Sequence, residues 1–314
     1  MKSNTPTEVT ETIDPTFRIK QALIGLELTD SDHAILAYVA RMLRYIPVDS
    51  INFLHVIPDF ASYTPFPDQS PPPFIEEYSI GEDLMQQMEK KVGEFLGKAT
   101  GTYFDYSVQE GNALEEVLST AQDVHADLVI IGKKAGQHFH NIQARKLARK
   151  VHTNVLVVPE NTRDQVRDFL VPIDFSPTSM KAFETALDLC KTIEGPTSIN
   201  VLHIYEVPNL NVYKIGTSPE QFQKMMRENR EEAMAAFLDA YATSVPRNTT
   251  INSTLLERQN FSIPRMINDY AEEYKADMIL VGAHGHSRIE LVFLGSITEH
   301  LLNINDTVPT LVIK

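Results

Sequence analysis

The chain has 314 residues, 43% of them apolar, which is enough for two domains of ordinary size, each with its own core. Forty-two acids against 28 bases give a formal net charge of −14; this repels phosphate backbones and argues against nucleic-acid binding, while leaving room for a local pocket for one small anion. One cysteine, Cys190, excludes an intrachain disulfide, and no apolar run approaches the length of a membrane span.

The first residues, MKSNTPTEVTETIDPT, are polar and lack the plan of a signal peptide, so a cytoplasmic location is expected. A branched apolar run at 22–26 predicts a strand, 31–45 an amphipathic helix and 51–57 a second strand. Next comes 57–78, IPDFASYTPFPDQSPPPFIEEY, with six prolines and five aromatic residues in 22 positions. Such a segment favours extended geometry. It is expected to fold over a neighbouring site or to dock a partner or an apolar ligand. A helix at 81–98, a strand at 102–108, a helix at 113–124 and a strand at 128–131 follow. The basic residues Lys133, Lys134, Arg145, Lys146, Arg149 and Lys150 read as the solvated face of an amphipathic helix, with an anion or partner site as the alternative. The strand NVLVVPE (154–160) closes this half.

The same order then returns. SINFLH at 50–55 lies over SINVLH at 198–203, LIGLELTDSD at 23–32 over LVPIDFSPTS at 170–179, and ADLVIIG at 126–132 over ADMILVG at 276–282, at offsets of 148, 147 and 150. The chain therefore reads as a tandem duplication, domains 1–162 and 163–314, joined by the polar stretch ENTRDQVR. The second half predicts strands at 169–173, 199–207, 250–256 and 278–281, helices at 179–192, 219–243 and 263–274, and the final strand PTLVIK. Cys190, in the apolar-periodic helix, is read as a small buried hydrophobe. Strands alternating with helices, and runs such as LVII without polar alternation, predict two doubly wound α/β domains with parallel sheets. Ligands of such sheets bind beyond the carboxyl ends of the strands.

The most informative stretch is GAHGHSRIELVFLGSITEHLL at 282–302. Gly282 ends a strand, Gly285 follows, and Gly295-Ser296 opens a helix, with Ser296 placed at or near the N-cap. Glycines admit positive φ and let a ligand approach the backbone; a helix start adds free N–H groups and partial positive charge. Together they form a cradle for a polyphosphate. The pairs His138/His140 and His284/His286 lack the further ligands of a zinc site. Glu299 and His300 read as a solvated helix face, with a role as base the alternative. His55 and His203 read as partners of neighbouring loops.

The pattern Gly282-x2-Gly285-x9-Gly295-Ser296 after ADMILVG resembles the ATP-binding signature of the universal stress protein family, and PIDFSPTSMKAFETAL at 172–187 is similar to that family's first strand and helix. The resemblance covers both halves and implies a Rossmann-like, adenine nucleotide alpha hydrolase-like fold in tandem. It implies that Pro172 and Asp174 stand at the ribose or base, Ile204 and Val281 pack on adenine, and Gly282, His284, Gly285, Gly295, Ser296 and Ile297 surround the phosphates of ATP, which Mg²⁺ can accompany. No catalytic or metal-ligating residue is assigned. It further implies that the halves pair through their last strands as an intrachain pseudo-dimer, with a homodimer and an unidentified protein partner open. Asn260 stands where the family often has glycine. The first half departs from the pattern: Gly132 and Gly136 are spaced by three residues, no Gly-Ser follows, and Glu27 replaces Asp174. It is expected not to bind ATP. The expected function is a nucleotide-responsive regulator in stress; the alternatives are a slow ATP-dependent hydrolase or phosphotransferase and an interaction scaffold that binds nothing small.

Overall fold

The computed structural model of the chain describes residues 18–59, 80–97, 101–134, 138–163, 165–208, 218–258, 260–285 and 294–314, for 138–143 the backbone only. The first half runs β1 (Ile19–Leu26), α1 (Asp32–Met42), β2 (Val48–Ile57), α2 (Ile80–Leu96), β3 (Tyr103–Glu110), α3 (Ala113–Asp123), β4 (Leu128–Lys133), α4 (His138–Lys150) and β5 (Asn154–Pro159). The second runs β6 (Asp168–Pro172), α5 (Pro177–Thr192), β7 (Thr197–Tyr205), α6 (Pro219–Tyr241), β8 (Thr249–Glu257), α7 (Ile263–Tyr274), β9 (Met278–Gly282), α8 (Ser296–Ile304) and β10 (Thr310–Ile313). The α/β order expected from the repeat is therefore present in both halves.

Helix starts follow local chemistry. Asn112 caps α3 by accepting from the Leu114 and Glu115 amides, and Ser218 forms a capping box with Gln221 at the start of α6. Pro177 and Pro264 occupy first-turn positions, where a missing N–H costs nothing.

The strands form one ten-stranded sheet in the order β3-β2-β1-β4-β5-β10-β9-β6-β7-β8. Pairs within each half are parallel; β5 and β10 meet antiparallel, with Leu311 opposite Leu156. The two halves are thus joined edge to edge through their last strands. Helices cover both faces, and alternate strand residues enter opposite cores: Ile24, Phe169 and Val171 on one face, Leu23, Val129 and Leu170 on the other. This is why the strands are apolar without alternation. Cys190 is buried, as the apolar periodicity of its helix required.

Each half ties the start of its first strand in the same way. The Asp127 carboxylate accepts from the Lys20 and Gln21 amides, and that of Asp277 from the Arg167 and Asp168 amides. The repeated Ala-Asp therefore fixes the order of strands at their amino ends.

Leu156 and Leu311 face each other in one core at the junction. Truncating either to Ala is expected to lower the unfolding free energy by about 2–5 kcal/mol. The double variant should lose less than the sum, since both remove the same contact. Urea unfolding checks this, and strict additivity would contradict the packing described.

Candidate functional site

The carboxyl ends of β6 and β9 diverge at the switch point of the second half and open a cavity of about 320 Å³. All ten residues expected at the nucleotide line it: Pro172, Asp174, Ile204, Val281, Gly282, His284, Gly285, Gly295, Ser296 and Ile297. Ile263, Ile267 and Thr298 join them. One end is apolar, formed by Ile204, Ile263, Ile267 and Val281. The other is the start of α8.

That helix starts where the sequence placed it, at Gly295-Ser296. Gly295 is the N-cap, with φ −60° and ψ 144° and no side chain of its own to cap the helix, and Ser296 is the first helical residue. The first intrahelical bond runs from Glu299 N to the Gly295 carbonyl. An α-helix leaves its leading amides without an intrahelical acceptor, and here those of Ser296 and Ile297 belong to cavity-lining residues. The N-terminus of α8 therefore presents donors and partial positive charge to the cavity.

The loop base is held by hydrogen bonds that use up its carbonyls. Thr298 Oγ1 donates to the Gly282 carbonyl at 2.8 Å, and Gly295 N to that of Ala283 at 2.7 Å. The hydroxyls of Thr178 and Ser176 donate to the His284 carbonyl. With these three carbonyls engaged, the amides at the start of α8 are the donors that suit an anion, and the Asp174 carboxylate stands beside Gly285.

The glycines have another reason than the one read from sequence. None of Gly282, Gly285 and Gly295 has positive φ. A Cβ on Gly282 would lie 2.6 Å from Thr178 Oγ1 and 2.9 Å from Ser179 N, so glycine is required there because α5 starts against β9. A Cβ on Gly285 would stand 2.7 Å from Asp174 Oδ2. At Gly295 it would stand 3.3 Å from the Ala283 carbonyl. The expectation of left-handed backbone is thus corrected to close packing. Positive φ occurs instead at Leu28 (57°) and Phe175 (63°), at matching places after the first strand of each half.

Asp174 Oδ1 accepts from Ser176 N at 3.0 Å, so the carboxylate shapes its own turn while bordering the cavity. His203 Nδ1 meets the Ile173 carbonyl at 2.8 Å, and His55 Nδ1 meets that of Leu26 at the same distance. Both act as partners of neighbouring loops. Phe175 lies on the His203 ring, centroids 4.6 Å apart. Burial pushes the His203 pKa down, the bond to Ile173 works against this, and Arg230 reinforces it.

The first half keeps a cavity of about 350 Å³ at the matching place, lined by Glu27, Leu54, Val56, Val117, Ile131 and Gly132 among others. Two of its lining residues, Glu27 and Lys134, form an ion pair. The expectation of a solvated basic face fails for part of the cluster. Lys133 is 2% exposed; Arg149 is exposed as expected and also pairs with Glu299 of the second half. Glu299 is accordingly engaged with arginine rather than placed as a base. Lys146 and Lys150 are exposed as expected. The proline-rich stretch from residue 60, Gly136, His286 and the side chains of His138 and His140 lie outside the described residues. Among the described residues, no group of three or more His, Cys, Asp or Glu is placed to hold a metal, and no helix is long and apolar enough to cross a membrane.

Residues 165–314 match the model of the universal stress protein family. A universal stress protein of Methanocaldococcus jannaschii is 24% identical over 155 residues, covering 49% of this chain and 85% of that protein. The crystal structure of a universal stress protein from Archaeoglobus fulgidus aligns with a TM-score of 0.62 at 17% identity, over 94% of this chain and 96% of its own. That of a functionally unknown protein from Pseudomonas aeruginosa aligns at 0.59 and 13% identity, over 94% and 92%. Both alignments extend the shared fold across the two halves.

Gly282→Ala should destabilise the ligand-free protein by about 1–3 kcal/mol, the cost of overpacking, because its Cβ meets the backbone of α5; an unchanged urea midpoint would refute the packing role. His203 supplies a second expectation. The folded protein holds its imidazole below the ordinary value of 6.5, so the unfolded chain binds the proton more readily. The stability that goes with neutral His203 is present above pH 6.5 and is lost as pH falls below it. His203→Gln should flatten the decline in melting temperature between about pH 7 and pH 5, and an unchanged decline would show that His203 does not contribute.

Proposed function

Because residues 165–314 form a domain of the universal stress protein family, and the whole chain shares that fold, we propose that this protein is a stress-response regulator that binds ATP in its second half. The observation that carries the reading is a helix start with glycine at its N-cap opening on a cavity with one apolar end. Adenine fits between Ile204 and Val281, with Ile263 and Ile267 closing the apolar end. Asp174 accepts from ribose hydroxyls. The phosphates lie toward Gly285, Gly295, Ser296 and Ile297, where amides and helix dipole favour negative charge. Mg²⁺ arriving with the nucleotide is held by phosphate oxygens and water.

Binding rather than turnover is favoured because Glu299, the carboxylate in the first turn of α8, is taken by Arg149. ATP acts as an effector by shifting a conformational equilibrium of the protein. Units 1–162 and 163–314 divide the work, with the first not taking ATP: its cavity-lining residues Glu27 and Lys134 form an ion pair, and its sequence lacks the Gly-Ser helix start. The setting is cytoplasmic, and the protein partner that reads the nucleotide state is a separate question.

Denaturing the purified protein and chromatographing the supernatant should release adenine nucleotide, and calorimetry should give one ATP per chain. Asp174→Ala should weaken ATP and adenosine alike by about tenfold, the loss of one charge-assisted hydrogen bond. Gly295→Val should weaken ATP far more than adenosine. Absence of heat with any adenine nucleotide overturns the reading, and two ATP per chain overturns the assignment to the second half alone.

A further inference from the structure

We infer that Lys133, a residue of the first half, is a positioning residue for the phosphate end of the cavity in the second half. The inference rests on the nucleotide reading and adds a requirement to it: the phosphate site needs the other half of the chain.

Lys133 ends β4, and its side chain crosses to the second half. Its ammonium donates to the carbonyls of Leu302 at 2.8 Å, Asn303 at 3.1 Å and Asn305 at 2.7 Å. These lie at the C-terminal end of α8. An ammonium has three N–H donors, so three carbonyls use them all. The Asp306 carboxylate, 2.8 Å away, balances the charge. A lysine with 1% side-chain exposure would be costly without such partners. With them, a buried cation sits where a helix leaves its last carbonyls without amide partners and carries partial negative charge. The matching position of the second half holds Ala283, and the reciprocal contact, from Lys314 Nζ to the Ala148 carbonyl of α4, is a single hydrogen bond.

The consequence concerns the other end of the same helix. α8 has nine residues and so spans about 13 Å as a rigid rod. Its first amides face the cavity, and its last carbonyls are fixed by Lys133. An axial shift released at one end moves the donors at the other. Phosphate recognition by amides depends on distances near 2.9 Å, whereas stacking of a base on Ile204 and Val281 tolerates such a shift. Losing the clamp should therefore damage phosphate binding selectively.

Lys133→Met preserves the length of the side chain and removes the donors. Calorimetry with ATP and with adenosine on the full chain separates the roles. The clamp requires ATP to bind about tenfold more weakly, a typical coupling between sites, with adenosine changed by less than about twofold. A lysine that merely supports folding would weaken both ligands equally; that result, or no change with either, overturns the inference. Wild-type protein that binds neither ligand overturns the nucleotide reading instead, and this role with it. Wild type that binds both, with no selective loss in the variant, sinks this inference alone. Should Lys133→Met fail to fold, hydrogen exchange in the unaltered protein decides. ATP but not adenosine should slow exchange at residues 302–305 and 131–134; equal protection by both, or none by ATP, refutes the clamp.

Discussion

The structure depends on one edge-to-edge pairing, the antiparallel ladder of β5 and β10. A five-stranded parallel sheet would leave its last strand with a row of unsatisfied amides and carbonyls, an invitation to aggregation. Here each half supplies the strand that covers the other. The pairing also lays α4 and α8 beside the junction, one from each half. Side chains then cross in both directions. Lys133 reaches the end of α8, Lys314 Nζ donates to the Ala148 carbonyl in α4 at 2.6 Å, and Arg149 meets Glu299. Helix ends that would otherwise need water or local caps are satisfied by the opposite half. A site built on α8 is therefore anchored by both halves of the chain.

Much of this was legible in the amino-acid order. The repeated segments at nearly constant offset identified the duplication, and strand and helix periods identified the fold class in each half. The residues expected around the nucleotide converge on one cavity, because Pro172, Asp174, Val281 and Gly282 sit at carboxyl ends of adjacent strands. What remained illegible was contact between distant segments. Lys133 looked like a solvated base because its neighbours are basic; its acceptors lie about 170 residues away in sequence. Gly282 looked like a residue kept small for a ligand, whereas its neighbour is the start of α5. The helix start fell within the range the sequence allowed, with Gly295 at the N-cap and Ser296 next to it. A local pattern states which backbone is permitted, and only tertiary packing states why.

The two cavities show how one scaffold is adapted to different chemistry. They are similar in volume and sit at matching switch points. In the second half the loops are tied by neutral hydroxyls, those of Ser176, Thr178 and Thr298. In the first, charged groups do this work. Asp32, 4% exposed, accepts from the Glu27 and Thr29 amides and pairs with Lys91, while Glu27 pairs with Lys134. Glycine has likewise changed its meaning. A Cβ on Gly132 would meet nothing within 4 Å, whereas on Gly282 it would collide with α5. The first half has kept the shape of the fold and given up the close strand-to-helix approach that shapes the loop in the second.

The proposed binding of a polyanion to an acidic chain has to work against the chain's own field. With a net charge of −14, long-range attraction works against the approach of ATP, and ions in solution screen that repulsion beyond about 8 Å. The attraction must come from groups inside that distance. On the proposed reading the start of α8 supplies it through amides and helix dipole, a form of positive charge that leaves the net charge unaltered. Its strength depends on alignment. A lysine side chain on the surface can follow its ligand, but backbone amides cannot, so their recognition is only as good as the position of the helix that carries them. The buried ammonium at the far end of α8, an expensive group to place inside a protein, is consistent with that demand: it fixes the helix without adding a second anion site that would compete for the phosphates.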